Sequence, residues 1–203
     1  DMNNVEGATI PVELAWKPKL TLFDGLPGEY KLGALYSTAE ANDVKTTGKV
    51  HDGKQSFWLN AQQQLTQQGA DPKRGLYVSF NAVINDKATT TVQSTQQIAV
   101  WYKGPLENRP NDSVGFGLAN YVVNDRVQDR QIATNQSRGY DRYDAFASDY
   151  TPIQRDELNV ELNYTYQWSP AVMLRPNIQY IHQPAGVKEV DDAWVAGLSM
   201  RVN

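Results

Sequence analysis

The chain has 203 residues, no cysteine, two histidines and a net charge of −4. Disulfides and thiolate metal sites are therefore excluded, His51 and His182 alone are too few to suggest a zinc cluster, and the acidic balance argues against a nucleic-acid partner. No apolar run of 18 or more residues occurs, which excludes a transmembrane helix but not a membrane, because alternating strands average to a polar score.

Taken in chain order, the sequence resolves into segments of period two. Residues 8–19 put Ile10, Val12, Leu14 and Trp16 on one face and Glu13, Ala15 and Lys17 on the other. Pro11 lacks a ladder donor and predicts a bulge or a strand end. A polar turn through 24–28 leads to a second alternation, Tyr30, Leu32, Ala34 and Tyr36 against Lys31, Gly33, Leu35 and Ser37. A longer polar loop follows at 38–54. The segment 56–65 is the least clean, with Phe57, Leu59, Ala61 and Leu65 opposing Trp58, Asn60, Gln62 and Gln64. Residues 76–86 set Leu76, Val78, Phe80, Ala82 and Ile84 against Tyr77, Ser79, Asn81 and Val83.

A strand near 93–103 turns Ile98, Val100 and Tyr102 outward and Gln97 and Trp101 inward. Residues 113–123 alternate Val114, Phe116, Leu118 and Asn120 with Gly115, Gly117, Ala119 and Tyr121. The stretch 125–154 is the longest interruption, rich in Arg, Asp and Tyr and without clear periodicity, and is expected to be a functional extracellular loop of the lid or lumen-folded kind. The cleanest alternation follows it. Leu158, Val160, Leu162, Tyr164, Tyr166 and Trp168 take one face, and Glu157, Asn159, Glu161, Asn163, Thr165 and Gln167 the other. After a tight turn at 168–170, residues 173–183 turn Leu174, Ile178 and Tyr180 outward, and a last strand begins near Ala193.

About nine strands at hairpin spacing result, with connections alternating between compact and long. An apolar wall ending in aromatics, backed by a wall that carries carboxylates, is the unit of a transmembrane β-barrel, since a packed core would not hold those carboxylates unpaired. The fold class predicted is therefore all-β, an antiparallel transmembrane barrel. Long connections are outside and short ones periplasmic in such barrels, which puts the C-terminus in the periplasm and Asp1 on the extracellular side. An odd strand number does not close a bacterial barrel, so residues 1–203 are expected to be the C-terminal portion of one barrel domain whose N-terminal strands are absent. The outward phase of the last strand runs through Trp194, Ala196, Leu198, Met200 and Val202 to a position just past Asn203, so the chain is expected to be clipped there. An intact mass near twice 22.8 kDa is the expected signature of the longer protein.

The inward phase selects the candidate pore-lining residues. From the first half these are Glu13, Lys17, Lys31, Asn60, Gln62, Asn81, Gln97 and Trp101. From the second they are Glu157, Asn159, Glu161, Asn163, Arg175, Asn177, Gln179 and Arg201. Each is read first as ordinary wall lining or a bracing ion pair. Arg126, Arg130, Arg138, Asp141, Arg142 and Asp144 are likewise read first as a solvated loop face. Glu157 and Glu161, four apart on a strand, are separated by about 13 Å, too far for the carboxylate pair of glycoside hydrolysis. No catalytic residue, metal or other cofactor is called for, and an outer-membrane phospholipase ranks last because neither histidine sits in a recognisable motif.

Three strings carry a family resemblance: TIPVELAWKPK with GLPGEYKLGALYSTA, then VWYKGPLENRPNDSVGFGLANYVV, then ELNYTYQWSPAVMLRPNIQYIHQPAG with DDAWVAGLSM. Together they resemble the C-terminal half of the OprB-type carbohydrate-selective porins, and the likeness runs over nearly the whole chain. The resemblance implies an outer-membrane barrel of about sixteen strands, these being roughly the last nine, that passes glucose and related sugars by passive diffusion. It departs from the family in the glutamine run of the third strand and in the missing N-terminal portion, whose constriction residues cannot be carried over. Trp101 is the candidate stacking surface for a sugar's C–H face, and the mixed charges imply no strong ion preference. Implied partners are outer-membrane lipid and lipopolysaccharide outside and small glucose-like sugars inside, with monomer and homotrimer both open. The competing expectation is a soluble β-sandwich carbohydrate-binding module, which requires Leu158, Val160, Leu162 and Tyr164 to be buried in protein.

Overall fold

A computed structural model describes residues 7–144 and 146–202. Its strands, in order, are β1 (Thr9–Trp16), β2 (Lys19–Leu20), β3 (Leu26–Ser37), β4 (Ala41–Asn42), β5 (Val50–His51) and β6 (Lys54–Gln64). There follow β7 (Gly75–Asn85), β8 (Val92–Lys103), β9 (Ser113–Val123), β10 (Glu157–Ser169), β11 (Val172–His182) and β12 (Ala193–Val202). One helix, α1 (Asp125–Ser137), interrupts them, and 3-10 turns occur at Thr21–Phe23 and Pro184–Gly186.

The nine long strands are those the alternation marks out, and they pair in the order β1-β3-β6-β7-β8-β9-β10-β11-β12, every neighbour antiparallel. Connections therefore alternate strictly between the two ends of the sheet. Those at 38–53, 86–91, 124–156 and 183–192 share one end, which carries the two longest, and those at 17–25, 65–74, 104–112 and 170–171 share the other; 86–91 is shorter than three of the latter, so length does not alternate strictly. Pro11 produces no bulge. It sits within β1 opposite Leu35, and β1 has a partner on one side alone among the described strands, so the missing N–H leaves no ladder bond unmade there. Asp1 and Asn203 lie outside the described residues.

Register carries each residue set across the whole sheet. On one face Trp16, Tyr30, Ala61, Phe80, Ile98, Leu118, Val160, Tyr180 and Trp194 form a continuous row. One residue along, Lys31, Asn60, Asn81, Gln97, Ala119 and Asn159 form a row on the opposite face. A one-residue slip in any pairing would swap the faces, so the wide apolar face fixes the register.

That apolar face is exposed. Leu162 is 50 % exposed, Leu14 73 % and Leu198 70 %, while among the described residues the buried apolar side chains are Val44, Val123 and Val127, all at the long-loop end. A soluble sandwich would bury the sheet's leucines, and Leu158 and Leu162 are exposed instead. The stretch 125–154 also departs from the loop expected of it, because its first part is α1. The face α1 buries is Val127, Gln131 and Asn135, spaced by four but mostly polar, so no hydrophobic period announces it.

Leu162→Arg, at the middle of β10 on the apolar face, is expected to cost the full-length protein about 2–4 kcal/mol of stability in lipid. Denaturant unfolding from phospholipid vesicles measures it, with Thr165→Arg on the polar face of the same strand as the near-neutral comparison.

Candidate functional site: the polar wall

All sixteen inward-phase residues named above fall on or beside the polar face. Glu13 to Arg201 occupy its rows, and Lys17 lies just past the end of β1. The charged ones gather into two clusters. In the first, Glu29 Oε1 lies 3.3 Å from both Lys17 Nζ and Lys31 Nζ, and Lys31 approaches Glu13 at 3.9 Å. In the second, Glu161 Oε1 accepts from Arg175 at 2.6 Å and Asn163 at 2.9 Å, while its Oε2 accepts from Gln179 at 2.7 Å. Each cluster is internally neutral, two lysines with two glutamates and one arginine with one glutamate. Glu157 is held separately, accepting from Asn159 and from the backbone N–H of Ala185, so the two glutamates of β10 have different partners and do not act as a pair.

Between the clusters runs a neutral amide band. Asn60 pairs in register with Asn81, and Asn81 with Gln97. Aromatic rings share this face with it. Trp101 stacks on Tyr77, centroids 5.3 Å apart and planes 9° from parallel, so one face of the expected stacking surface is already covered by protein. Trp58 lies over Gly33, where any Cβ would come within 2.1 Å of the ring, and its indole N–H donates to Glu13 at 2.7 Å. Glu29, Trp58 and Tyr77 complete the wall and were not among the candidates, although their phase places all three on the polar face. Asn177 and Arg201 lie on this face as well.

At the long-loop end, Asp43 organises the connections. It is buried and accepts from Arg126 at 2.9 and 3.0 Å, pairs with His51 Nε2 at 2.8 Å, and receives the backbone N–H groups of Lys45 and Thr46. The His51 contact first, then these backbone donors and Arg126, hold its carboxyl well below the usual range. Asn124 caps α1 through the N–H of Arg126 and ties it to the carbonyls of Lys87 and Thr90. Farther along, Asn135 exchanges two hydrogen bonds with the backbone of Thr151, and Gln131 bonds both the backbone and the side chain of Gln154. The helix is thus stitched to the returning chain by amides. Arg126 is consumed in this latch and Arg138 bonds Asp149 O and Thr151, so these two loop cations brace the structure.

At the short-turn end, Asp112 accepts a two-pronged contact from Arg109, the Tyr164 hydroxyl at 2.6 Å and the Gln167 N–H at 2.9 Å. Burial alone would raise its pKa; Arg109, Tyr164 and Gln167 outweigh that and lower it.

Comparison with known proteins places this arrangement. The family model for the carbohydrate-selective porins of the OprB family matches residues 1–203. Porin QuiX of Acinetobacter baylyi is 80 % identical over the whole chain, which covers 46 % of that relative. Porin B of Pseudomonas aeruginosa is 44 % identical over 98 % of the chain and 46 % of its own length. The high-pH structure of Pseudomonas putida OprB superposes with a TM-score of 0.92 at 42 % identity, over 98 % of this chain and 49 % of that one. The chain thus spans about half the length of the relatives it matches.

Asp192, in the connection 183–192, yields a pH prediction. Its carboxyl is lowered to about 2 by the Tyr180 hydroxyl, then His182 and the Gln183 N–H. A folded-state pKa below the unfolded value stabilises above that value and is lost as pH falls through the folded one. Exchange protection of the Gln183 amide is therefore expected to hold from neutrality down to about pH 4 and to collapse toward pH 2. Hydrogen exchange on the full-length protein, with Asp192→Asn unprotected throughout, checks it.

Proposed function

We propose, from the premise that this chain belongs to the OprB family of carbohydrate-selective porins, that it forms part of a diffusion channel for glucose and other small carbohydrates. The chain is an outer-membrane β-barrel segment of porin type, the C-terminal portion on this proposal, and the exposed apolar face is where bilayer lipid and lipopolysaccharide lie. The polar face is the lumen wall, and the end bearing α1 is extracellular.

The observation that carries the proposal is the pairing of every charged cluster with its own counter-charge beside a band of amides. An uncharged, hydroxyl-rich solute exchanges water for amides and carboxylates of similar strength, so entry costs little and release stays fast. Small ions meet no net field from these clusters, so selectivity between them is weak. Flat aromatic surfaces at Trp58 and Trp101 suit the C–H face of a sugar ring, the second with its Tyr77 partner as backing. No bond is made or broken on this path, so the reading assigns no catalytic residue.

The full-length protein in liposomes is expected to admit glucose in a swelling assay and to show a reversal potential near zero across a salt gradient. Lys31→Glu leaves Glu13 and Glu29 without their shared cation and should shift the channel toward cations. Absence of glucose uptake beside an active control porin would overturn the proposal.

A further inference from the structure

Four connections follow one another along the end of the sheet that bears α1, in the order 38–53, 86–91, 124–156 and 183–192. Connections fixed only at their own strand ends would move independently. Here each is bonded to the next. The backbone N–H of Val44 donates to the carbonyl of Ala88 at 2.8 Å. Asn124, at the start of the third connection, donates from its side-chain amide to the carbonyls of Lys87 and Thr90 and from its backbone N–H to that of Thr91. Gln154 exchanges two hydrogen bonds with Gln131 of α1 and donates to the carbonyl of Ala185, while the N–H of Arg155 donates to Gly186.

One joint skips a neighbour. Arg126 of α1 reaches Asp43, although β3 and β9, the strands their connections leave, stand four spacings apart in the order β3-β6-β7-β8-β9, about 19 Å. Lys45 and Asp129, 2.7 Å apart, double that span. Helix α1 therefore sits in a chain of contacts that reaches all four connections. Its joints are also interdependent. Asp43, Asn124, Gln131 and Asn135 are all buried, and lifting the helix would strip each of partners it now has. A buried polar group left unpaired is costly, so releasing one joint alone is disfavoured and the set opens together.

We propose that α1 is the key of a collar in which the four connections open as one cooperative unit, and that this collar is a gate. Intact, it holds the mouth of the channel clear; released, it frees the connection 124–156 to enter the lumen. The gate rests on the channel reading, whereas the cooperativity of the collar does not.

Hydrogen exchange on the full-length protein reads the cooperativity, and single-channel current in planar bilayers reads the gate. Gln154→Ala cuts the joint nearest the connection 183–192. Exchange should quicken about tenfold at the Arg155 amide and also at the Lys45 and Thr46 amides, which bond Asp43 in a different connection. Arg126→Met cuts the joint to Asp43 and should quicken Arg155 in turn, with the amides of the long strands unchanged. Wild type should carry a steady current, and both variants should show brief closures. Acceleration confined to the substituted joint overturns the collar. Acceleration that spreads while both variants conduct steadily overturns the gate. Neither residue lies in a long strand, and should one variant fail to fold, the other decides. Wild-type liposomes that exclude glucose overturn the sugar-channel proposal instead and leave the exchange result standing.

Discussion

The backbone ladder is the constraint on which everything else in this chain depends. In hydrocarbon a peptide N–H or C=O without a partner costs several kcal/mol, so strands can cross a bilayer only when paired with neighbours. Eight consecutive antiparallel pairings supply those partners between β1 and β12. Once they form in one register, the period-two geometry of each strand leaves no freedom about which side chains face lipid. The two walls are therefore consequences of pairing, and no interior core is needed to create them.

With three valines as the buried apolar side chains among the described residues, polar contacts hold the parts that pairing does not reach. The Asp43–Arg126 latch and the Asn124 cap join three connections at one end, and Asp112 with Arg109 and Tyr164 fastens a turn to β10 at the other. The three buried valines, Val44, Val123 and Val127, are chain neighbours of Asp43, Asn124 and Arg126 in the first of these assemblies. Such contacts are strong here because each is partly or wholly shielded from water and because none leaves a carboxylate alone. The ends of the sheet are thus the most conventionally globular parts of the molecule.

The same rule of neutralised charge governs the wall. Glu29 bridges two lysines and Glu161 gathers one arginine and two amides, so these charges are satisfied by protein.

What the sequence determined by itself was the strands and their facing. Leu158 through Trp168 alternate with Glu157 through Gln167, and alternation is a local property that survives any tertiary arrangement. Phase alone also placed Glu13, Lys31, Asn81, Glu161 and Gln179 on the polar wall. Helix α1 was not legible, because its buried face is Val127, Gln131 and Asn135, and a polar stripe leaves no hydrophobic period to detect. Nor were the partnerships: Glu29 with Lys17, Trp58 with Glu13, Asp43 with Arg126 across 83 positions. These were decided by register and loop packing, which bring distant residues within hydrogen-bond reach through long-range pairing that no local pattern records.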